Sequence, residues 1–259
     1  MSDAPLQGVG VLVTRPRAQA AELVAEVERA GGTAICFPVI EIAAREPQAI
    51  ARDEAALGHP DITIFVSRNA VEFGLEYSGG GRIGVIGPAT AEAVRAAGGQ
   101  VDIQPAGGFD SEHLLGEPEL AAVAGKRVRI IRGQAGRELL ADELRARGAT
   151  VDYLAVYERR LPAVDPATLA ALAARWEAGD IDVVTAMSVE SLENLVTLLP
   201  AACIDRLGST PLVTPAARVI QKALDLYPAS RPFLAPGPQA GEMVEAIIAL
   251  TNTDRGPAT

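Results

Sequence analysis

The chain has 259 residues, which at roughly 100–200 residues per domain suggests two domains. Its 33 acidic and 23 basic residues leave a formal net charge of −10. That charge argues against a nucleic-acid partner, which needs a basic face, and against a polybasic membrane surface. The sequence contains no apolar run near the ~20 residues of a membrane span, so we expect no membrane partner either.

Cysteines and histidines are too few and too scattered for the common metal and redox sites, so we expect no metal. Cys36 and Cys203 fit no such motif, and His59 and His113 suit structural or solvent-facing positions. Residues 1–7 lack the basic and apolar regions of a secretory signal. We therefore expect a protein of the reducing cytoplasm.

Short apolar runs alternate with alanine-rich helical stretches along the whole chain, which predicts α/β architecture with parallel sheets. Glycines at the helix ends, such as Gly31 and Gly148, suit C-terminal caps. Residues 79–84 formally match G-x-G-x-x-G but follow a helix and enter a strand, so we predict a loop rather than a dinucleotide site. The predicted strands are 9–14, 33–37, 62–66, 83–86, 101–104, 127–131, 152–157, 182–185, 212–213 and 232–235, and the predicted helices are 17–30, 47–57, 68–77, 89–97, 134–147, 167–178, 188–199, 215–226 and 241–251.

An internal repeat relates the first strand-helix-strand segment to a later one. A shift of 117 aligns them without a gap and pairs Gly8 with Gly125, Val11 with Val128, Arg15 with Arg132, Ala18 with Ala135, Leu23 with Leu140, Glu26 with Glu143, Gly31 with Gly148, Thr33 with Thr150, Val39 with Val156 and Glu41 with Glu158. A weaker shift of 121 places Asp61 on Asp182 and Ser67 on Ser188. We call the two segments related by the shift of 117 A and A′, and the two related by the shift of 121 B and B′. Their order along the chain is A, B, A′, B′, which predicts two similar α/β lobes.

Both A segments end in extended stretches, residues 37–42 and 154–159. If both stretches cross between the lobes, they form a two-stranded linker, and the two chain ends together make one lobe. Two consecutive lobes remain the simpler alternative.

Arginines and hydroxyls follow the predicted strands, where parallel sheets bind their ligands and helix N-termini offer free N–H groups. Taken singly, the hydroxyls are explained as N-caps worth ~1 kcal/mol each and the arginines as surface residues. Because these arginines and hydroxyls recur in both lobes, they together predict a cleft for a polyanion that carries carboxylates or phosphates. The residues are Thr14, Arg15, Ser67, Arg68, Thr90, Arg132, Gly133, Arg137, Ser188 and Thr214.

Tyr157 lies in the second crossing stretch, where its repeat partner is Ile40. A tyrosine there would face the groove between the lobes, and its phenol both donates and accepts hydrogen bonds. The sequence leaves open whether Tyr157 has a packing role or a functional role.

These residues together resemble the uroporphyrinogen-III synthase family over about residues 9–250. Each motif is weak alone, and their order and spacing carry the resemblance. The matching stretches are residues 11–16, 37–42, 65–71, 85–91, 130–133, 136–138, 148–149, 156–160 and 187–195.

The resemblance implies a cofactor-free lyase that closes linear hydroxymethylbilane, with its eight carboxylates, while inverting ring D. It implies two flavodoxin-like lobes, one discontinuous (1–37 and 163–259) and one continuous (44–152), joined by linker strands 38–43 and 153–162. Tyr157 is then the catalytic residue, and the strand-end residues bind the substrate. We expect a monomer. The alternative is a two-lobed binding or sensor protein for a small polyanion without catalysis.

Overall fold

The computed structural model describes residues 4–255, with side chains to residue 253, so the first three residues of the segment 1–7 lie outside it. The strands in chain order are β1 (Gly10–Val13), β2 (Thr33–Cys36), β3 (Glu41–Ala44), β4 (Ile62–Phe65), β5 (Arg82–Val85), β6 (Arg127–Gly133), β7 (Thr150–Arg160), β8 (Val183–Thr185), β9 (Leu212–Thr214) and β10 (Pro232–Leu234). The helices are α1 (Arg17–Arg29), α2 (Pro47–Ala55), α3 (Arg68–Gly74), α4 (Pro88–Ala96), α5 (Ser111–Leu115), α6 (Pro118–Ala121), α7 (Leu139–Ala146), α8 (Pro166–Ala178), α9 (Val189–Leu198), α10 (Ala201–Ser209), α11 (Ala217–Leu226) and α12 (Ala240–Arg255).

The chain divides into two compact units. Unit 1 comprises Met1–Glu41 and Arg160–Thr259, and unit 2 comprises Ile42–Arg159. No helix within residues 4–255 is long and apolar enough to cross a membrane.

Unit 1 is built on a parallel sheet in the order β10-β9-β8-β1-β2. Val11 and Val13 of β1 point into a core shared with Leu23 of α1 and with Met243 and Ile247 of α12. Because β1 is buried along its whole length, its sequence is a continuous apolar run, as a central parallel strand requires.

The sheet of unit 2 has the order β3-β7-β6-β4-β5 and is mixed. The pairs β4–β5, β4–β6 and β6–β7 are parallel. The edge strand β3 is antiparallel to β7, because Glu41 pairs with Arg160 while the Arg45 N–H donates to the Val156 carbonyl.

Each face of this second sheet buries its own core. Ile64 and Ile130 point to one face, where they join Leu114 and Leu144. The neighbouring residues point to the other face, since side chains alternate along a strand. This alternation, with helices on both sides, confirms the predicted α/β class.

Several predicted elements need correction. The strand predicted at 101–104 is reduced, within the described chain, to one bridge between Ile103 and Gly84, because the Asp102 carboxylate takes the Ile83 N–H instead. The helix predicted from residue 134 begins at Leu139, because the Gln134 N–H still bonds to the Tyr157 carbonyl in the sheet. Helices α5, α6 and α10 were not predicted from the sequence.

Two glycine interpretations are confirmed. Gly31 and Gly148 follow helices with φ of 86° and 85°, the left-handed conformation expected of a C-terminal cap. Residues 79–81 form a helix-to-strand loop between a short 3-10 helix (Leu75–Tyr77) and β5, and residues 82–84 of the motif lie in β5 itself.

Candidate functional site

A pocket of about 350 Å³ opens in unit 2 at the carboxyl ends of its strands. Val66 follows β4, Ile86 follows β5, and Gly133 ends β6, so the pocket lies where the sequence predicted ligand binding. The strands β4 and β6 are neighbours in the sheet. After β4 the chain continues to β5 at one edge, and after β6 it continues to β7 on the other side. Ile130 and Leu140 add apolar wall to the pocket.

Tyr157 lines this pocket, and its hydroxyl lies 3.2 Å from Ser67 Oγ. Ser67 is the N-cap of α3, where its oxygen accepts the Ala70 N–H at 3.1 Å. The cap therefore fixes the hydroxyl that meets Tyr157. Phe73 packs beside the tyrosine, with ring centroids 6.2 Å apart.

Gly133 makes room for the Tyr157 ring. The β6–β7 register shifts between Arg132 and Gly133, so that Gly133 stands opposite Tyr157. A Cβ on Gly133 would lie 2.7 Å from the ring, closer than side chains tolerate. Here glycine allows close approach rather than an unusual φ, which is one of its ordinary uses in a strand.

Arg132 lies on the pocket wall, held by two neighbours. Its guanidinium carbon is 4.1 Å from the centroid of the Tyr153 ring, and its Nη1 donates to Glu138 at 3.0 Å. The Tyr153 hydroxyl donates to the other Glu138 oxygen at 2.7 Å. Burial, followed by the Glu138 hydrogen bond, raises the pKa of Tyr153 to about 12, and the same hydrogen bond lowers the pKa of Glu138.

The rim of the pocket is polar and carries one exposed aromatic ring. Arg137 is exposed there, and Asp110 caps α5 by accepting the His113 N–H at 2.8 Å. That backbone hydrogen bond lowers the pKa of Asp110. Phe109 is 64% exposed and packs against Gly87.

Three predicted residues of unit 2 lie outside the lining of this pocket, as the described residues define it: Ser67, which contacts the lining residue Tyr157, and the two residues Arg68 and Thr90. Arg68 is exposed at the first position of α3. Thr90 is buried in the first turn of α4, where its N–H donates to the Gly87 carbonyl. Both follow their strands as predicted, and their contact with substrate remains a prediction.

Three hydroxyl residues predicted in unit 1 make internal bonds. The buried Thr14 hydroxyl donates to the Thr185 carbonyl at 2.6 Å. Thr214 is buried and accepts the Ala216 N–H at 3.2 Å, and Ser188 caps α9. These contacts are those of sheet and cap residues, so ligand binding by these three hydroxyls remains a prediction.

Arg15, the repeat partner of Arg132, donates from Nη2 to the Pro238 carbonyl. Its buried Nε has no hydrogen-bond partner within the described residues, and burial lowers the pKa of its guanidinium. The sequence left open whether Arg15 contacts substrate or braces a turn, and in the structure Arg15 binds the Pro238 carbonyl in the segment between β10 and α12.

Tyr153, Asp110 and Phe109 lie in the pocket but were not predicted from the sequence as site residues. Glu138, which binds Tyr153 beside the pocket, was named only within a stretch of the family resemblance. The i and i+4 spacing of Tyr153 and Tyr157 is not a usable signal, because the register shift at Gly133 interrupts the alternation on β7. Tyr153 packs against the core that contains Ile130, and Tyr157 packs against the core that contains Phe65. The carboxylates of Asp110 and Glu138 and the ring of Phe109 lie in segments between strands and helices. Such segments have no regular sequence pattern from which their positions could be predicted.

The fold and this pocket place the chain among α/β proteins whose ligand sites lie at the carboxyl ends of parallel strands. A protein-family model described as "Uroporphyrinogen-III synthase HemD" matches residues 21–245. The chain belongs to the uroporphyrinogen-III synthase family.

Individual relatives agree with this assignment. Uroporphyrinogen-III synthase of Escherichia coli (strain K12) is 37% identical over 208 residues, covering 74% of this chain and 80% of that protein. The Salmonella typhimurium (strain LT2) protein of the same name is 35% identical over 201 residues, with the same coverage of 74% and 80%.

Two solved structures share the fold. The Helicobacter pylori uroporphyrinogen-III synthetase matches with a TM-score of 0.59 at 13% identity, over 93% of this chain and 99% of that one. A mutant uroporphyrinogen III synthase from the extreme thermophile Thermus thermophilus matches with a TM-score of 0.50 at 20% identity, over 94% of this chain and 99% of that one.

Proposed function

We propose that this chain acts as a uroporphyrinogen-III synthase, a cyclising lyase that converts hydroxymethylbilane to uroporphyrinogen III with inversion of ring D. Besides family membership, the observation that carries the proposal is the pairing of the Tyr157 and Ser67 hydroxyls at 3.2 Å beside a pocket lined by Arg132 and Arg137. A hydroxyl that donates a hydrogen bond beside cationic side chains suits a substrate that loses water and carries carboxylates.

The reaction begins with loss of the terminal hydroxyl of the bilane. The C–O bond breaks, the hydroxyl takes up a proton from Tyr157 or from solvent water and leaves as water, and the neighbouring pyrrole nitrogen stabilises the resulting azafulvene cation. The proton released at ring closure restores the balance. Tyr157 donates a hydrogen bond to the departing oxygen, and water shares this work. General acids in such positions typically contribute 10²–10⁴-fold.

Ring inversion follows by carbon–carbon bond chemistry. The substituted carbon of ring D attacks the cation and forms a spiro intermediate, which fragments and recloses at the other carbon with loss of a proton. The bilane also closes spontaneously at the unsubstituted carbon. The protein must therefore hold the chain in the less accessible geometry, and orientation is its main contribution.

Charge explains how an acidic protein holds a substrate with eight carboxylates. The net charge of −10 opposes binding, so local positive groups must supply the attraction. Arg132, Arg137 and the N–H groups at the start of α3 are the groups in unit 2 that we propose for this role. The backbone N–H groups bind side-chain carboxylates and form no covalent bond with them.

We also propose that both units are flavodoxin-like, with 1–37 and 163–259 as one lobe, 44–152 as the other, and 38–43 and 153–162 as linker strands. The strand order β2-β1-β8-β9-β10 supports this for unit 1, because it corresponds to the 2-1-3-4-5 order of that fold when strands are counted within the unit. The antiparallel pair β3–β7, at the boundary of the two units, supports the linker.

We expect the enzyme to work as a cytoplasmic monomer without cofactor, metal or nucleic acid. The free thiols of Cys36 and Cys203 agree with a reducing compartment. The proposed activity is tested by supplying hydroxymethylbilane and measuring the ratio of isomer III to isomer I in the oxidised product.

A further inference from the structure

Arg132 is oriented by a closed set of three side chains, here called the Arg132 cluster: Arg132, Glu138 and Tyr153. The Tyr153 ring lies against the guanidinium, and the Tyr153 hydroxyl and Arg132 Nη1 bind different oxygens of Glu138. Each member therefore contacts the other two. Only 11% of the Arg132 side chain is exposed, so the cluster leaves it little freedom.

The hydrogen bonds of Arg132 leave part of its guanidinium available. Within residues 4–255, Arg132 donates to protein only through Nη1, to Glu138 at 3.0 Å and to the Arg137 carbonyl at 3.4 Å. Nε and Nη2 retain their N–H groups, and Arg132 lines the pocket. This pair of N–H groups matches the two oxygens of a carboxylate.

The internal repeat shows that an arginine at the equivalent position of unit 1 is kept without such a cluster. The shift of 117 pairs Arg132 with Arg15, but it pairs Tyr153 with Cys36 and Glu138 with Ala21. Unit 1 thus keeps the arginine without the ring or the carboxylate, and Arg15 donates to the backbone carbonyl of Pro238. The cluster is a feature of the unit 2 pocket.

We propose that Tyr153 is a positioning residue that holds Arg132, through ring contact and Glu138, so that its Nε and Nη2 bind one carboxylate of the substrate. This inference rests on the proposed function for the identity of the substrate. Tyr153 acts on binding through Arg132 and takes no part in bond making or breaking.

The first test separates the ring from the hydroxyl. Tyr153→Leu removes both, and we expect the KM for hydroxymethylbilane to rise about tenfold while kcat stays within about twofold, as loss of a cation–π contact and a fixed cation predicts. Tyr153→Phe keeps the ring and rescues most of the loss, leaving KM about two- to threefold above wild type. Tyr227→Phe, far along the chain in unit 1, is the matched control and keeps wild-type constants. A fall in kcat with unchanged KM in Tyr153→Leu would overturn the proposal.

The second test asks whether Tyr153 acts through Arg132. In an Arg132→Gln background, Tyr153→Leu should add nothing to KM, because the cation that it positions is already gone. Equal effects in both backgrounds would assign Tyr153 a separate role and refute the inference. If Tyr153→Leu lacks native near-ultraviolet circular dichroism, Tyr153→Phe and Glu138→Gln replace it in the same cycle.

The third test does not depend on turnover. Uroporphyrin III, a stable porphyrin with eight carboxylates, serves as the binding probe, followed by its fluorescence. Tyr153→Leu should raise its Kd about tenfold, and the Arg132→Gln background should again cancel the effect. If the wild type makes no isomer III but this pattern holds, the proposed function fails and the positioning role stands. An unchanged Kd in Tyr153→Leu would contradict the role whatever the activity.

Discussion

The hydroxyl oxygens of Ser67 and Tyr157 lie 3.2 Å apart, although 90 residues separate them along the chain. Ser67 also accepts the Ala70 N–H, so the start of α3 fixes its position. Tyr157 is held between this cap and Gly133, where only a glycine leaves room for the ring. A phenol fixed on two sides is suited to donate a hydrogen bond in a defined direction.

Tyr157→Phe should therefore slow the reaction without preventing it. We expect kcat to fall about tenfold, less than the 10²–10⁴-fold of a sole general acid, because water takes over part of the hydrogen bonding. KM should change little, since the ring remains. Steady-state rates of isomer III formation measure both constants. A wild-type kcat in Tyr157→Phe would remove this residue from the proposed chemistry.

Gly133→Ala should act on activity through Tyr157. The added Cβ would lie 2.7 Å from the ring and must displace it, which lowers kcat at least as much as Tyr157→Phe and costs about 1–3 kcal/mol of stability. Gly241→Ala is the control. Apart from its chain neighbours and the backbone of its own helix, no atom lies within 4 Å of its added Cβ, and α12 gains up to about 1 kcal/mol. Urea unfolding and rate measurements on both variants test this. Full activity in Gly133→Ala would show that the ring position does not matter.

Arg129 carries a stability prediction independent of the site. Its side chain is 2% exposed and donates to Glu54 and to the carbonyls of Tyr77 and Gly58. Arg129→Met leaves those acceptors without the arginine, and we expect a loss of about 3 kcal/mol in unfolding free energy. Arg82→Met, which breaks the solvent-exposed pair with Glu119, should cost below about 1 kcal/mol. Equal losses in the two variants would contradict the prediction.

The pKa of Tyr153 predicts a stability change at high pH. Burial and the Glu138 hydrogen bond raise this pKa from 10 to about 12. Because the folded state binds the phenol proton more tightly, the resulting stability is complete below pH 10 and is lost as pH rises toward 12. The stability difference between wild type and Tyr153→Phe should therefore shrink across this window. Urea unfolding at pH 8, 10 and 11.5 measures it, and a constant difference would contradict the raised pKa of Tyr153.

Much of the strand arrangement follows from the repeat. Asp182 accepts the Gly10 N–H at 2.7 Å, and Asp61 accepts the Arg127 N–H at 2.8 Å. The two aspartates are repeat partners, and so are the two N–H donors. Each unit thus joins one A segment to one B segment, and β8-β1-β2 in unit 1 corresponds to β4-β6-β7 in unit 2. The repeat indicates the strand order because strands of similar sequence pair with strands that are also similar in the two units.

The pocket was only partly predictable. Arg132, Gly133, Arg137 and Tyr157 are lining residues that the sequence identified from strand ends and from family resemblance. The Arg132 cluster was missed because its contacts depend on side-chain geometry. A loop carboxylate such as Glu138 leaves no periodic signal in a sequence. The register shift at Gly133, which brings it opposite Tyr157, is likewise visible only once the two strands are paired.

The most direct test of the account is product analysis. Freshly generated hydroxymethylbilane is incubated with the purified protein, the products are oxidised, and the isomers are separated by chromatography, with a protein-free sample as control. We expect isomer III in excess over the control, with a slower rate in Tyr157→Phe. Isomer I alone, from folded protein given intact substrate, would contradict the synthase assignment and favour a protein that binds the polyanion without catalysis.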